Sequence, residues 1–560
     1  MKLLSALAVL LMSVCLGSSS ETPVIRTQCG PVQGEVKTTA WNSVPYWSFQ
    51  SIPYGKPPVG NLRFRPPMPA EPWTGTLKAN KEPNACPQLD IFSQQYIGNE
   101  DCLYINVFTP VPTARKHAHK KAVMAWIYGG SFAGGSTNTS IYGPDLLIEQ
   151  DVVVVTFNYR LGALGFLALG LEGAPGNGGL KDQALALKWI QQNIAAFGGD
   201  PRRVTIFGES SGSASVHYHV LSPHSAGLFA RAIAMSGTPL SPWAYHTPEQ
   251  SLNKAKQLTK FLGSDATTNS EILNFLLNVP PKDLVNGTEQ MDGVTQMLTL
   301  PFRPTLDSVD KNPFLTQCPI SIYKYGSFSK VPIMLGKTKE EALGFTRDGF
   351  TGVNDTWTNF DRLIDIDEEV FNRFVKDKVT DYGVFVTDYY YTAPTDLTRK
   401  FLTKYNNEPV YSYEHTFDSP YALHRQLGQA LNGTSHFDDV QYVFYMKVFR
   451  EPEDPNDPVN RFRKMVSAMW ANFAKYGNPT PRRNNPSNAI WEPSGCRGLQ
   501  FNINSQCRMQ EADVSPTAVE YEKYILNRLP TKSACHPTKA PEPNLDDFFP
   551  TANPSQTTLH

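Results

Sequence analysis

The 560-residue sequence lacks a surplus of charge of either sign. Its 51 Lys and Arg face 52 Asp and Glu, which leaves a formal net charge of −1. No long run of basic residues occurs along the chain. A nucleic-acid-binding protein normally carries a basic surplus or a basic stripe, so nucleic acid is excluded as the expected partner.

Cysteine is also scarce. Eight Cys in 560 residues are too few for a disulfide scaffold. No Cys-x-x-Cys pair or Cys/His cluster has the spacing of a zinc site. We therefore expect no metal ion, and no motif in the sequence predicts an organic cofactor.

Long hydrophobic runs are absent apart from one near the start. The run from Leu3 to Gly17 follows Lys2 and is succeeded by three serines. It is shorter than the roughly 20 residues that span a bilayer, and its flanks are typical of a secretory signal peptide. Residues 1–18 are therefore expected to be a signal peptide of a secreted, extracellular protein with no transmembrane segment. Its removal takes Cys15 and leaves an odd number of cysteines, so at least one thiol is free or paired between chains.

Strand and helix signals alternate through the first half of the chain. Three apolar runs, Ala122–Tyr128, Val152–Phe157 and Val204–Phe207, predict strands, and the β-branched run Val152–Phe157 is typical of a strand buried on both faces. Asp182–Ala196 has apolar residues at helical spacing, and Val331–Leu335 predicts a later strand. This alternation predicts an α/β fold with a mostly parallel central sheet and helices on both faces.

No linker divides the body of the chain, so residues 19–530 are expected to form one large domain. Residues 531–560 are rich in Pro and polar side chains and poor in aliphatic ones. Such a composition cannot pack a core, and we interpret this segment as a flexible C-terminal tail.

A Gly-x-Ser-x-Gly pattern, Gly208–Gly212, follows the predicted strand Val204–Phe207 and precedes a helical segment. In that context a sharp turn presents the central serine, Ser210, above the edge of a sheet. A serine hydroxyl is a weak nucleophile unless a base removes its proton and a third group orients the base. In this fold class the chain order of the three is serine, acid and histidine.

Five histidines follow the nucleophile and the later strand: His415, His424, His436, His536 and His560. The last two lie in the tail, His415 ends a strand-like run, and His424 lies in a helix-like segment. His436 lies in a loop, Gly433–Asp439, and loops on a rigid scaffold are where catalytic bases occur. His436 is therefore the predicted base.

The acid should leave the end of a strand that precedes the histidine. The loop after Val331–Leu335 offers Glu340 or Glu341. Adjacent residues point in different directions, so only one can serve, and the spacing does not decide between them. Asp307 is the remaining candidate.

Donors for a tetrahedral oxyanion are the other requirement. The glycine loop Tyr128–Phe132 follows the strand-like run Ala122–Tyr128, where such loops supply backbone N–H groups. The residue after the nucleophile, Ser211, would supply another N–H group.

Several further motifs occur in a recognisable order. They are Glu100-Asp101-Cys102-Leu103-Tyr104, Asn158-Tyr159-Arg160-Leu161-Gly162, Phe197-Gly198-Gly199-Asp200-Pro201, Phe207–Gly212, Trp470-Ala471-Asn472-Phe473-Ala474 and Gly477-Asn478-Pro479. With them the sequence resembles the type-B carboxylesterase/cholinesterase family of α/β-hydrolases, from about Pro31 to Leu529.

This resemblance implies an α/β-hydrolase fold and a serine triad of Ser210, Glu341 and His436, so it selects Glu341 over Glu340. It also implies oxyanion donors at Gly130, Ser131 and Ser211. Structural ion pairs are implied between Arg63 and Glu100 and between Arg160 and Asp182.

Cysteine pairing follows in part from the same resemblance. Cys102 lies in the Glu-Asp-Cys motif, and we expect a disulfide between it and Cys86. Cys496 and Cys507 are a plausible second pair.

The sequence departs from the family in three places. The third glycine of the oxyanion loop is Ser131, and the alanine after the nucleophile is Ser211. The loop that carries the acid, Gly336–Ala342, is a loose version of its counterpart. A second disulfide found in the family is absent, because residues 262–274 contain no cysteine.

Four Asn-x-Ser/Thr sequons suit a secreted chain. Asn138, Asn286 and Asn354 are the expected glycosylation sites. Asn432 precedes His436 by four residues, so we expect it to be unoccupied or directed away from the site.

The expected function is that of a secreted serine hydrolase that cleaves small-molecule or lipid esters through an acyl-enzyme. The loop from Cys86 to Cys102 holds Phe92 and Tyr96 but lacks the tryptophan that binds quaternary ammonium in cholinesterases, so uncharged esters are the expected substrates.

Alternatives are a bile-salt-activated-type lipase or cholesterol esterase, and a hormone esterase of the juvenile-hormone type. A non-catalytic neuroligin-like adhesion protein is disfavoured by the intact triad. The oligomeric state is not predicted.

Overall fold

The computed structural model describes residues 21–111, 119–291, 300–307, 309–345, 382–428, 430–452 and 454–527. The predicted signal peptide, the predicted tail and the sequon at Asn354 lie outside the described residues.

The described strands are β1 (Ile25–Arg26), β2 (Pro31–Gln33), β3 (Glu35–Thr38), β4 (Pro45–Pro53), β5 (Leu77–Lys78), β6 (Gln88–Leu89), β7 (Tyr96–Ile97), β8 (Tyr104–Pro110), β9 (Lys121–Ile127), β10 (Val153–Phe157), β11 (Ala168–Leu171), β12 (Ala174–Pro175), β13 (Gly199–Glu209), β14 (Arg231–Met235), β15 (Ile333–Thr338), β16 (Val410–His415), β17 (Leu499–Ile503) and β18 (Arg508–Glu511).

The described α-helices are α1 (Asp145–Ile148), α2 (Gly162–Phe166), α3 (Gly178–Asn193), α4 (Ser211–Leu221), α5 (Pro248–Phe261), α6 (Asn269–Asn278), α7 (Pro281–Gln290), α8 (Pro319–Lys324), α9 (Tyr382–Thr387), α10 (Ala393–Tyr405), α11 (Leu423–Gln426), α12 (Pro458–Tyr476) and α13 (Pro516–Asn527).

An 11-stranded sheet forms the centre of the molecule, in the order β18-β17-β16-β15-β14-β13-β9-β10-β8-β4-β3. The strands from β10 to β17 in this order run parallel, and antiparallel strands complete both edges. Every residue of β10 is buried, as is every residue of β9 after Lys121. Their apolar, β-branched sequences suit strands covered by helices on both faces, and the predicted mostly parallel sheet is confirmed.

Parallel strands deliver the residues that follow them to one edge of the sheet. Gly129 and Gly130 follow β9, Ser210 follows β13, Ser236 follows β14, and the acid loop follows β15. The fold therefore gathers four separate segments at the carboxyl end of the central strands.

The strand before the acid loop ends later than the sequence predicts. β15 runs to Thr338, whereas the prediction ended it at Leu335. Gly336 permits the extension, because a Cβ there would lie 2.3 Å from the ring of Tyr413 on the neighbouring strand β16. The acid loop is correspondingly short.

Two buried ion pairs are confirmed. The Arg160 guanidinium contacts the Asp182 carboxylate at 2.6 and 2.8 Å, and the Arg160 backbone N–H donates to the same carboxylate at 3.0 Å. Arg63 contacts Glu100 at 2.7 Å and also donates to the carbonyl of Val279 just beyond α6. The first pair joins the segment after β10 to α3, and the second joins the segment between β4 and β5 to the one between β7 and β8.

Cys86 and Cys102 form a disulfide with a Cα–Cα distance of 5.1 Å. Cys318 is also disulfide-bonded. The suggested pairing of Cys496 with Cys507 is wrong, because both thiols are free. The extended strand β17 separates them and spans about 16 Å, whereas a disulfide requires Cα atoms within about 7 Å.

We expect Asp182→Asn to lower the free energy of unfolding by about 3–5 kcal/mol, because it leaves the buried Arg160 charge without its partner. Glu520→Gln is the matched control, since the Glu520–Lys523 pair is exposed and worth at most about 1 kcal/mol. Urea denaturation followed by tryptophan fluorescence measures both. Equal losses in the two variants would contradict a stabilising role for the buried pair.

Candidate active site

Ser210 lies in a strained turn between β13 and α4. Its backbone has φ 59° and ψ −124°, a conformation that costs a residue with a side chain about 1–3 kcal/mol. The turn is held by its N–H, which donates to the Met235 carbonyl at 2.8 Å. Glycines allow it to form, because a Cβ on Gly212 would lie 2.1 Å from the Ile127 carbonyl and one on Gly129 would lie 2.9 Å from the Ser210 Cβ.

His436 is held by Glu341. The Nδ1 atom of His436 lies 2.6 Å from Glu341 Oε2, and the backbone N–H of His436 donates to the Glu341 carbonyl at 3.0 Å. The other carboxylate oxygen accepts from the Ser236 hydroxyl at 2.5 Å and from the Thr338 N–H at 2.8 Å. Glu341 is fully buried, so these contacts fix the direction of the carboxylate and of the imidazole.

Glu340, the alternative acid, has a different partner. Its carboxylate accepts from the Thr434 N–H at 2.9 Å and from the Thr434 hydroxyl at 3.2 Å. Its backbone N–H donates to the Thr434 carbonyl at 3.0 Å. Because Thr434 is two residues before His436, Glu340 anchors the loop that carries the histidine. Of the two glutamates that the spacing left open, Glu341 is the one whose carboxylate contacts His436.

The other candidates lie apart from this cluster. Asp307 pairs with Lys181 at 3.1 Å. His415 is buried against the rings of Tyr442 and Phe462, and burial lowers its pKa to about 3. His424 contacts a carboxylate other than Glu341, that of Asp438.

Glu209 is a neighbour of His436 that the sequence analysis did not identify. Its Oε1 atom lies 3.0 Å from His436 Nε2, and it is buried at the end of β13 beside Ser210. The imidazole therefore faces the strand end that carries Ser210. The position of Glu209 directly before the nucleophile was the only sequence signal for this contact.

Burial and two carboxylates act on the pKa of His436 in opposite directions. Burial alone lowers the pKa, but Glu209 and Glu341 raise it, and together they place it well above the usual value. Burial raises the pKa of Glu209 against the opposing effect of His436. Burial also acts to raise the pKa of Glu341, but His436 and the hydrogen bond from Ser236 lower it by more. The pKa of Glu341 therefore lies below its usual value.

The three predicted oxyanion donors lie on segments that adjoin Ser210: Gly130 and Ser131 follow Gly129, whose added Cβ would lie 2.9 Å from the Ser210 Cβ, and Ser211 is the next residue along the chain. Gly130 has φ 114° and Ser131 has φ 59°, and Ser211 is the first residue of α4. Among the hydrogen bonds of the described residues, none uses the N–H of Gly130 or of Ser211. A helix N-terminus and unused N–H groups suit a developing negative charge.

Aromatic rings form the wall beside the serine and the histidine. The Tyr391 ring lies 4.9 Å from the His436 ring, and Trp243 contacts Tyr391 at 6.1 Å. Tyr391 lies in a π-helical turn, Asp388–Thr392, a distortion that often occurs at functional sites. Gly237 brings Trp243 close to Ser210, because a Cβ there would lie 2.9 Å from the indole and 2.4 Å from the Ser210 carbonyl.

Known proteins resemble this chain in sequence and in fold. The profile of the carboxylesterase family matches residues 21–517. A cholinesterase from Mus musculus is 34% identical over 85% of this chain and 83% of its own length. A juvenile hormone esterase from Tribolium castaneum is 32% identical over 88% of this chain and 90% of its own.

The chain belongs to the carboxylesterase family. The solved structure of juvenile hormone esterase from Manduca sexta, with OTFP covalently attached, superposes with a TM-score of 0.78 at 28% identity. It covers 90% of this chain and 99% of the Manduca chain. The predicted α/β-hydrolase fold and the predicted family are thus confirmed, and the chain is a carboxylic ester hydrolase.

Two of the predicted glycosylation sites can be placed. Asn138 is exposed, and Asn286 is half-buried in α7. Asn432 is exposed, and its amide oxygen accepts from Arg425 at 3.0 Å. The occupancy of all these sequons stays a prediction. No helix in the described ranges has both the length and the hydropathy needed to cross a membrane.

The pH dependence of hydrolysis should reveal the contact between Glu209 and His436. A general base must be neutral, so kcat/KM should rise as the pH increases through the raised pKa of His436. We expect Glu209→Gln to move this acidic limb to lower pH, because the variant removes a carboxylate that favours the imidazolium. A pH profile of kcat/KM with p-nitrophenyl butyrate measures the shift.

Glu340→Gln is the control for the pH profile. It removes a carboxylate that contacts Thr434 rather than the imidazole, so it should lower the rate without moving the limb. An unchanged limb in Glu209→Gln, or the same shift in both variants, would contradict the electrostatic role of Glu209.

Proposed function

We propose that the enzyme hydrolyses uncharged carboxylic esters through an acyl-enzyme formed on Ser210. In this scheme His436 accepts the Ser210 proton during attack and returns it to the leaving alcohol. Glu341 orients the imidazole and stabilises the imidazolium that forms. The observation that carries the proposal is the 2.6 Å contact between His436 and Glu341, at the sheet edge where the strained turn presents Ser210.

The N–H groups of Gly130, Ser131 and Ser211 would stabilise the tetrahedral intermediate in this mechanism. These N–H groups are fixed in place before the reaction begins, so they need not reorganise when negative charge develops on the substrate oxygen. The covalent attachment of OTFP in the Manduca sexta relative supports a covalent mechanism for this chain as well.

The preference for uncharged esters rests on what surrounds the site. The aromatic wall of Trp243 and Tyr391 suits an apolar group. The loop closed by Cys86 and Cys102 contains no tryptophan, and its Phe92 packs against Phe449 with 48% of its surface exposed. The Glu209 carboxylate contacts His436 rather than standing open to a cation.

Secretion is part of the proposal and rests on the N-terminal sequence, supported by disulfides at Cys86, Cys102 and Cys318. Such bonds form in oxidising compartments. A hormone esterase is the second candidate function, because two of the relatives are juvenile hormone esterases. A panel of esters that includes juvenile hormone would distinguish it from a general carboxylesterase.

An organophosphate should label Ser210 with a stoichiometry of one. Ser210→Ala should lower kcat by about 10³- to 10⁶-fold while the melting temperature stays unchanged, because the attacking oxygen alone is lost. Peptide mapping by mass spectrometry and steady-state kinetics check the two outcomes. Labelling of Ser211 instead, or normal turnover by the variant, would refute the mechanism.

A positive charge on the alcohol group of the substrate should not raise kcat/KM. A cation–π contact would be worth about 0.5–2 kcal/mol, and its absence removes a preference of roughly 2- to 30-fold. We therefore expect kcat/KM for butyrylcholine to be no higher than for 3,3-dimethylbutyl butyrate, its uncharged isostere. A clear preference for the choline ester would contradict this part of the proposal.

A further inference from the structure

The oxyanion loop has an unusual backbone. Gly130, Ser131 and Phe132 have φ angles of 114°, 59° and 57°, so three successive residues lie in the left-handed region. Only the first is a glycine. A residue with a Cβ is disfavoured in this conformation relative to glycine, so the loop depends on outside contacts to keep its shape.

Three contacts of this kind are made by Phe132. Its carbonyl accepts from the Gly162 N–H at 2.7 Å, and its ring packs edge-to-face on Phe166 at 5.2 Å. Its N–H donates to the Ser211 hydroxyl oxygen at 3.2 Å. Among the hydrogen bonds of the described residues, that N–H has no other acceptor.

Ser211 thus contacts the oxyanion site in two ways. Its N–H, at the start of α4, is one of the candidate donors, and its hydroxyl reaches across to the loop that carries the other two. Ser211 and Phe132 are both fully buried. The alanine that the family has here would keep the donor and leave the Phe132 N–H buried without an acceptor, which is costly.

We propose that Ser211 is a positioning residue for ester hydrolysis, whose hydroxyl holds the left-handed oxyanion loop at Phe132 and compensates for the serine at position 131. The two departures from the family are then one coupled change rather than two independent ones. The inference rests on the proposed acyl-enzyme mechanism, because it assigns the loop to the stabilisation of an oxyanion.

A positioning role has a specific kinetic signature. The oxyanion donors act more strongly in the transition state than in the ground state, so a displaced loop lowers kcat with little change in KM. A trifluoromethyl ketone forms a tetrahedral adduct with an active-site serine and uses the same donors. Its affinity should therefore fall by the same factor as kcat.

The experiment is a double-mutant cycle on positions 131 and 211. Rates are expressed per active site titrated with an organophosphate, so misfolded enzyme does not contribute. Ser211→Ala should lower kcat and the affinity for the ketone by about 10-fold each, with KM nearly unchanged. In the Ser131→Gly background the same substitution should cost at most about 3-fold, because glycine adopts the left-handed conformation without strain.

Ser213→Ala is the matched control. Ser213 is a buried serine of the same helix whose hydroxyl donates to the Gly237 carbonyl at 2.6 Å and does not contact the loop. It should lower the melting temperature as a lost buried hydrogen bond does, without a parallel change in kcat and ketone affinity.

The outcomes separate this inference from the proposed function. Stoichiometric labelling of Ser210 with unchanged kcat and ketone affinity in Ser211→Ala would overturn the positioning role and leave the mechanism intact. Equal losses from Ser211→Ala in both backgrounds would overturn the coupling to Ser131. Failure of the unaltered enzyme to be labelled would instead refute the acyl-enzyme mechanism. If Ser211→Ala does not fold while the double variant does, the compensation is supported directly.

Discussion

The organisation of this site depends on how one buried carboxylate, that of Glu341, is satisfied. A carboxylate removed from water is stable only with hydrogen-bond donors or a positive partner. The Ser236 hydroxyl, the Thr338 N–H and the His436 ring supply them at 2.5, 2.8 and 2.6 Å. These donors come from segments that follow β14, from β15 and from the histidine loop. The same contacts that make burial tolerable therefore set the direction of the imidazole.

Part of the backbone strain in the described residues lies at the same edge of the sheet. Twelve residues other than glycine have positive φ in the described part of the chain, and five of them, Ser131, Phe132, Ser210, Ser236 and Phe437, lie on the segments that form the site. Strain of this kind persists only where the surrounding structure over-determines the conformation. Here the central parallel strands and the buried hydrogen bonds provide that rigidity, and the strain is a means of presenting side chains and N–H groups at one place.

Much of this arrangement could be predicted from the sequence, because some signals are local. The apolar runs predicted the central strands, and the glycine pattern around Ser210 predicted the turn. The choice between Glu340 and Glu341 could not be predicted from the local sequence, because it depends on how a short turn packs against a loop about 95 residues later. Glu209 and Ser236 were missed for the same reason, and the pairing of Cys496 with Cys507 failed because β17 holds them apart.

The most direct test of the central claim is proton NMR of the hydrogen bond between His436 and Glu341. A short bond from an imidazole Nδ1–H to a buried carboxylate gives a resonance far downfield of the amide region. This resonance should be present in the unaltered enzyme and in Glu340→Gln, and absent in Glu341→Gln. Its persistence in Glu341→Gln, or its equal loss in both variants, would contradict the assignment of Glu341 as the partner of His436.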